Sequence, residues 1–254
     1  MIVTCDLVKH FQWAGQTVKA LNGVSFEVNS GEVFGLLGPN GAGKTTTLRI
    51  VMGLLRADSG TAHVGGISAG PDSVSVRSII GMVSTNDGVY PWLSVREMLM
   101  YFADLYAVPV STARLRLDVL VEKLELNNCL DQRCATLSTG QKQRVILARG
   151  LMHDPPVMLL DEPTRGLDVV GSQTVFEFIA HLKSMGKAVL LSTHRLDEAE
   201  RVCDRFGLLN RGELMYAGTL DEIQQATGKL HLTDMFLAMM KQNEAVPAGA
   251  GVQA

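Results

Sequence analysis

The chain has 254 residues, of which 23 are Lys or Arg and 26 are Asp or Glu, so its formal net charge at pH 7 is −3. The basic residues are scattered, which excludes the basic surface of a nucleic-acid-binding protein, and no apolar run approaches the roughly 20 residues of a membrane-spanning helix. The four cysteines form no CxxC pair and have no metal-ligand spacing, which indicates free thiols in a reducing cytosol.

Strand-like apolar runs recur along most of the chain. They occupy residues 2–6, 24–28, 33–38, 78–84, 157–161, 188–193 and 205–210. Several of the later runs are apolar throughout, as in strands covered on both faces, and helical patterns lie between most of them. This pattern predicts an α/β fold with a mostly parallel sheet. The first runs, and the segment 208–218 with its turn at Arg211 and Gly212, are expected to be antiparallel.

The segment GLLGPNGAGKTT, residues 35–46, follows one of these runs and fits the pattern G-x-x-x-x-G-K-[ST] without a mismatch. Glycines let backbone N–H groups curl around a phosphate at the positive end of the following helix. Lys44 would bind the β- and γ-phosphates of a nucleotide, and the Thr45 hydroxyl would bind Mg²⁺. We predict a phosphate loop of Gly38, Pro39, Asn40, Gly41, Ala42, Gly43, Lys44, Thr45 and Thr46. The motif alone does not separate kinases, GTPases and motor ATPases.

Strand patterns stop between residues 94 and 153, where helical patterns take over. SVRE at 94–97 is a capping box that opens a helix, Pro109 breaks that helix, and two further helical stretches follow. We expect an all-helical subdomain inserted into the α/β unit. A second capping box, TLDE at 219–222, opens a C-terminal helix. The small and polar residues from 243 onward predict a flexible tail, 243–254, after a domain spanning 1–242.

Three polar side chains end two of the apolar runs. VMLLDE, residues 157–162, places Asp161 and Glu162 at the carboxyl edge of a buried strand, where open α/β sheets bind ligands. Asp161 would bind Mg²⁺, and Glu162 would orient or deprotonate an attacking water, a role that hydrolysis requires. His194 follows the run VLLST and is expected to contact the γ-phosphate.

The segment LSTGQKQRVILARGLMHDPPVMLLDEPTRGLD, residues 137–168, resembles the ATP-binding-cassette (ABC) ATPases, whose signature is LSGGQ. With LGPNGAGKTT, EPTRGLD and STH, the resemblance covers nearly the whole chain, and the four motifs follow the family's order. It implies a P-loop NTPase of the ABC ATPase type, with a mostly parallel core sheet, an N-terminal antiparallel β region and the inserted helical subdomain. The activity implied is ATP hydrolysis.

The resemblance also implies a dimer in which each ATP lies between the phosphate loop of one subunit and the signature of the other. By position, Ser138 would supply a hydroxyl, Gly140 and Gln141 would complete the signature, and Asp168 would link the two sites. Serine and glycine donors at a helix N-terminus form an anion site on physical grounds as well. Phe11 matches the aromatic residue that stacks on adenine in the family, with Trp13 as a rival; the choice of ATP over GTP is the family's implication.

Two positions depart from the family pattern. Thr85 aligns with a Gln that contacts Mg²⁺ in the family and is too short to span the same gap, so either Asn86 or a bridging water would replace it. Thr139 replaces the first glycine of the signature and adds a side chain where the backbone approaches phosphate. Activity is expected to survive the change at Thr139, whereas Thr85 keeps open the alternative of a nucleotide sensor without turnover.

The resemblance implies partners in addition to a second copy of the chain. Family members mostly power an integral membrane permease, which would place this chain in the cytoplasm, peripheral on the inner face of the membrane. Tyr90 and Trp92 precede the helical insertion and would either anchor a short helix of the permease or fill the subdomain core. LNRGELMYAGTLDEI, residues 209–223, resembles the branch serving sodium or drug efflux. A soluble ABC ATPase without a membrane partner and a nucleotide sensor without turnover remain alternatives.

Overall fold

A computed structural model describes residues 1–13, 15–84 and 88–245, apart from the side chains of 13 and 242–245. The strands are β1 Ile2–Trp13, β2 Gln16–Val28, β3 Val33–Leu37, β4 Ser59–Val64, β5 Ile67–Ser68, β6 Ile80–Ser84, β7 Val157–Asp161, β8 Ala188–Thr193, β9 Arg205–Asn210 and β10 Glu213–Thr219. The α-helices are α1 Lys44–Val51, α2 Val74–Ser78, α3 Val95–Leu105, α4 Val110–Lys123, α5 Thr139–Leu151, α6 Val169–Ser184, α7 Leu196–Val202, α8 Leu220–Thr227 and α9 Leu232–Ala245.

The larger sheet has six strands in the order β10-β9-β3-β8-β7-β6. It is parallel from β9 to β6, and only β10 is antiparallel to its neighbour. Every residue of β3, β7 and β8 is buried, which explains why these strands are apolar except at the carboxyl ends of β7 and β8, where Asp161, Ser192 and Thr193 lie. The β9–β10 hairpin turns at Arg211 and Gly212, whose positive φ angles of 47° and 82° are those of a two-residue hairpin loop. The predicted α/β architecture is confirmed.

A second sheet is antiparallel and has the order β2-β1-β4-β5. Its strands β1 and β2 are longer than predicted, and β4 was not predicted. The β1–β2 register shifts after Thr4 and after Lys9, and Asp6 has a φ of 47°, so the apolar alternation along β1 is broken. The sequence of β4, SGTAHV, has little strand propensity, and its strand forms by pairing with β1.

The insertion between residues 94 and 153 contains the helices α3, α4 and α5, as predicted. Ser94 caps α3: its Oγ accepts from the Glu97 N–H at 3.2 Å, and Glu97 Oε2 accepts from the Ser94 N–H at 2.8 Å. The expectation that Pro109 breaks this helix is wrong. The helix ends at Leu105, Ala107 turns the chain with a φ of 53°, and Pro109 is the N-cap of α4.

Apolar packing joins the layers. Phe26 of β2 stacks on Phe34 of β3 at 5.1 Å between ring centroids, which holds the small sheet against one face of the large one. On the other face, α6 shares one core with the helices of the subdomain, and this core includes the buried Leu147, Ile179 and Leu182. This packing leaves the carboxyl ends of β3, β7 and β8 at one edge.

The C-terminal helices α8 and α9 pack beside β9 and β10. As predicted, α8 begins with a capping box of Thr219 and Glu222. The helix α9 continues to Ala245, so residues 243–245 are helical where a tail was expected; residues 246–254 lie outside the described part. Among the described residues, no helix has the length and apolar character needed to cross a membrane.

Candidate nucleotide site

The phosphate loop joins β3 to α1, and two of its glycines are required by close backbone approach. A Cβ on Gly38 would lie 2.1 Å from the carbonyl oxygen of Leu209. Gly43, the N-cap of α1, has a φ of 113°, and a Cβ there would lie 2.6 Å from the carbonyl oxygen of Ala20. Glycine is therefore needed where the loop passes under the β9–β10 hairpin and β2.

Lys44 is the first residue of α1 and is only 6% exposed. Its Nζ donates to the carbonyl oxygens of Gly38 at 2.6 Å and Pro39 at 3.1 Å, and it lies 3.7 Å from Glu162 Oε1. Burial lowers the pKa of Lys44, and the charges of Glu162 and Asp161 oppose that shift. An anion in the loop would offset the cost of burying this charge, because it could replace the carbonyl oxygens as the hydrogen-bond partner of the ammonium group.

The acidic pair follows β7. Asp161 is buried and accepts a hydrogen bond from the hydroxyl of Ser192 on the adjacent β8. Glu162 leaves the strand with a φ of 51°, in the left-handed region, and its N–H donates to the Ser192 carbonyl at 2.9 Å. The Thr193 hydroxyl donates to Glu162 Oε2 at 3.3 Å. The end of β8 therefore fixes the direction of both carboxylates.

His194 lies directly after β8 and contacts the Glu162 carboxylate. Its Nδ1 is 2.9 Å from Oε1 and 2.8 Å from Oε2. Because β7 and β8 are adjacent and parallel, their carboxyl ends bring together side chains 32 residues apart in sequence. His194 is 43% exposed and Glu162 only 13%, so the imidazole covers the carboxylate on the solvent side.

One cleft unites most of the predicted phosphate and acidic residues. It is lined by Asn40, Gly41, Ala42, Gly43, Lys44, Thr45, Thr46, Asp161 and Glu162, with Val18, Lys19, Ala20 and Arg165. Val18 pairs with Phe11, which is 40% exposed on the neighbouring strand β1. An exposed ring beside the cleft is the arrangement that base stacking requires. The side chain of the rival Trp13, and Thr85 and Asn86 entirely, lie outside the described residues.

The oxygen atoms of this cleft suit a magnesium ion. The Thr45 hydroxyl and the Asp161 carboxylate line the same cleft. Mg²⁺ prefers such oxygen ligands and takes others from phosphates and water. The Ser192 hydroxyl already orients Asp161, which is the outer support that a metal-binding carboxylate needs. These residues fit the metal.

Arg165 is a cleft residue that the sequence analysis missed. It lies three residues after Glu162 in sequence, and its side chain is exposed. Within the described part of the chain, its guanidinium has no hydrogen bond or ion pair. The only available signal was its place in EPTRGLD. Val18, Lys19 and Ala20 were missed because β2 reaches the cleft by sheet pairing, which no local pattern shows.

A second cleft of about 450 Å³ lies at the N-terminus of α5. Ser138 is the N-cap: its Oγ accepts from the Gln141 N–H at 3.2 Å, and Gln141 Oε1 accepts from the Ser138 N–H at 2.9 Å. Gln141 therefore caps the helix, while Ser138, Thr139 and Gly140 line the cleft. Donors at a helix N-terminus favour an anion.

Asp168 lies across the second cleft as the N-cap of α6, and its Oδ1 accepts from the Gly171 N–H at 2.7 Å. The next two residues, Val169 and Val170, are 86% and 72% exposed. The two clefts share no lining residue. The chain thus carries two separate clefts, each beside the N-terminus of a helix.

Tyr90 and Trp92, which precede α3, form an aromatic surface with Tyr101 and Phe102 of α3. The ring of Tyr90 stacks on Trp92 at 5.9 Å and on Phe102 at 6.1 Å between centroids. Trp92 is 68% exposed, so the interpretation that it fills the subdomain core is wrong. Tyr90 packs against the outside of α3.

This fold and its first cleft define a P-loop nucleotide hydrolase with a helical insertion. The family profile described as ABC transporter matches residues 21–165. The chain is 34% identical over 241 residues to the ABC transporter ATP-binding protein NatA of Bacillus subtilis (strain 168), covering 94% of this chain and 98% of that protein. It is 40% identical to the Nod factor export ATP-binding protein I of Burkholderia orbicola (strain AU 1054) over 198 residues, which are 78% of this chain and 65% of that relative.

Solved structures agree. One described as the ATP-binding subunit of an ABC transporter is 30% identical with a TM-score of 0.85, over 94% of this chain and 99% of that one. A dimeric ATP-binding cassette in a post-hydrolysis state with ADP and Pi is 26% identical with a TM-score of 0.77, over 87% of this chain and 99% of that one. The chain belongs to the ABC transporter family: it is an ATP-binding subunit with ATPase activity, similar to subunits of exporters.

Proposed function

We propose that the chain powers export, of sodium, drugs or a similar solute, through a separate membrane permease, by an ATP-driven closure of two copies of the chain. The observation that carries this proposal is the separation of the two clefts. The phosphate loop faces one cleft with Asp161 and Glu162, while Ser138 and Gly140 face another. Because no residue lines both clefts, we infer that a triphosphate in the first cleft meets the donors of a second cleft on another copy. The dimeric structural neighbours and the exporter-type relatives support this arrangement.

In the proposed reaction, Lys44 moves its hydrogen bonds from the carbonyl oxygens of Gly38 and Pro39 to the β- and γ-phosphates. Thr45 and Asp161 would hold Mg²⁺, which neutralises charge on the phosphates when bound. Glu162 accepts a hydrogen bond from the attacking water and orients it in line with the γ-phosphate. His194 holds the carboxylate and can turn its Nε2 toward the phosphate. Ser138 and Gly140 of the second copy would bind the γ-phosphate from the other side.

The aromatic surface of Tyr90, Trp92, Tyr101 and Phe102 is the proposed contact with the permease. Exposed tryptophan and tyrosine side chains are the residues that most often anchor protein interfaces. The surface adjoins α3, so a helix bound there could transmit motion of the helical subdomain. The chain would therefore lie on the cytoplasmic face of a membrane as a peripheral subunit.

A complementation experiment tests the shared site. Lys44→Met disables the phosphate loop, and Gly140→Asp places a negative charge in the second cleft at a position where an added side chain meets open space. Each variant alone should lose ATPase activity. If the site is shared, a mixture should regain activity, because a mixed dimer contains one site in which both faces are intact. A mixture as inactive as its components would contradict the proposal.

A further inference from the structure

A buried side chain connects the two clefts within one copy of the chain. Gln143 lies on α5, lines the second cleft and is 8% exposed. Its Nε2 donates to the carbonyl oxygen of Pro163 at 2.9 Å. Pro163 follows Glu162, which lines the first cleft. One hydrogen bond thus joins the helix that carries one anion site to the residue beside the carboxylate of the other site.

The backbone conformation at Glu162 is sensitive to the position of the Pro163 carbonyl. Glu162 occupies the left-handed region with a φ of 51°, a conformation that costs free energy unless its surroundings maintain it. The next residue is a proline, whose ring fixes its own φ, so a displacement of the Pro163 carbonyl is passed back toward Glu162. On the far side, the Thr164 hydroxyl donates to the buried Glu198. The turn is therefore held at both ends, and Gln143 holds its middle.

We propose that Gln143 is a positioning residue that couples anion binding at the Ser138 cleft to the orientation of Glu162 in the same chain. This inference rests on the proposed function, because the anion is the γ-phosphate of ATP bound to a second copy. When that phosphate draws the N-terminus of α5 toward it, Gln143 moves the Pro163 carbonyl with the helix. Glu162 then takes its hydrolytic position more readily when the Ser138 cleft of the same chain is filled, so a dimer with one intact site keeps part of its activity. The two ATP sites of a dimer would thereby hydrolyse cooperatively.

Three variants separate this coupling from a merely structural hydrogen bond. Gln143→Met keeps the length and nearly the volume of the side chain but cannot donate. Gln143→Glu places a carboxylate against the Pro163 carbonyl, and only its protonated form can donate. Gln225→Met is the matched control, on an exposed position of α8. For each protein we would measure the melting temperature, the Kd for ATP, kcat and the Hill coefficient for ATP hydrolysis.

We expect Gln143→Met to bind ATP with a Kd within about twofold of the wild-type value. Its kcat should fall about tenfold, which corresponds to the loss of one hydrogen bond, and its Hill coefficient should be near one. In Gln143→Glu, kcat relative to the wild type should rise as the pH falls from about 8 to 6, because protonation restores the donor. Gln225→Met should match the wild type.

A Gln143→Met variant with the wild-type Hill coefficient would overturn the inference, whether or not its melting temperature falls. So would a Gln143→Glu variant whose relative kcat is independent of pH. A wild-type chain that stays monomeric with saturating ATP would instead contradict the proposed dimer, and this inference with it.

Discussion

His194 Nδ1 lies within 2.9 Å of both carboxylate oxygens of Glu162. The contact joins the ends of two adjacent parallel strands and leaves Glu162 with a single direction, toward the phosphate loop and Lys44. A carboxylate that must deprotonate or orient a water needs a fixed position more than it needs strength as a base. The pair is therefore our proposed hydrolytic centre.

Replacing Glu162 by Gln should abolish hydrolysis and preserve ATP binding. The amide keeps the size of the side chain but cannot accept a proton, so we expect kcat to fall by about two to four orders of magnitude. Because closure would no longer be reversed by cleavage, ATP should convert the variant to a stable dimer. Light scattering during size-exclusion chromatography would measure that mass. A variant that hydrolyses ATP at the wild-type rate would remove Glu162 from this role.

His194→Ala should lower kcat by about ten- to a hundredfold with little change in KM. Removing the imidazole leaves the Thr193 hydroxyl, at 3.3 Å, to hold the Glu162 carboxylate. Steady-state ATPase kinetics would measure the split between kcat and KM. His231→Ala is the control, since its side chain is 76% exposed and lies away from the cleft. Equal rates for His194→Ala and the control would show that the contact does not serve hydrolysis.

Lys44→Met should weaken ATP binding without lowering the stability of the nucleotide-free protein. Burial lowers the pKa of Lys44, so the charged side chain is costly to the nucleotide-free protein, and a methionine of similar length removes that cost. We expect the melting temperature without ATP to be unchanged or higher, whereas ATP affinity should fall at least tenfold. Calorimetric titration would measure the affinity. Undiminished binding would contradict the assignment of residues 38–46 to phosphate.

The sequence was sufficient to predict those features of the fold and of the site that depend on neighbouring residues alone. The glycines at 38 and 43 can be read directly because backbone approach excludes any side chain, and Glu162 and His194 each end an apolar run. Contacts between residues distant in sequence could not be predicted, because they depend on tertiary packing. Gln143 contacts Pro163, 20 residues away in sequence, and β4 forms by pairing with the distant strand β1. The choice between surface and core for Trp92 also depended on packing.

Gly38→Ala should destabilise the protein and impair ATP binding together. The new Cβ would lie 2.1 Å from the Leu209 carbonyl oxygen, so the loop or the hairpin must move. We expect a cost of about 1–3 kcal/mol, equivalent to a decrease of several degrees in melting temperature for a chain of this size. Gly88→Ala is the control, because a Cβ there meets nothing within 4 Å. Similar melting temperatures for the two variants would refute the close approach.

Trp92→Ala should weaken association with the proposed permease without changing the ATPase activity of the isolated chain. Trp92 is 68% exposed and stacks on Tyr90, so its truncation removes interface area and leaves the fold intact. Loss of an anchor of this kind costs about 2 kcal/mol or more, equivalent to at least a tenfold decrease in affinity. Co-purification with the proposed permease would measure it. Leu115→Ala is the matched control, since Leu115 is 69% exposed on α4, away from the aromatic surface. If both variants co-purify like the wild type, the permease binds elsewhere.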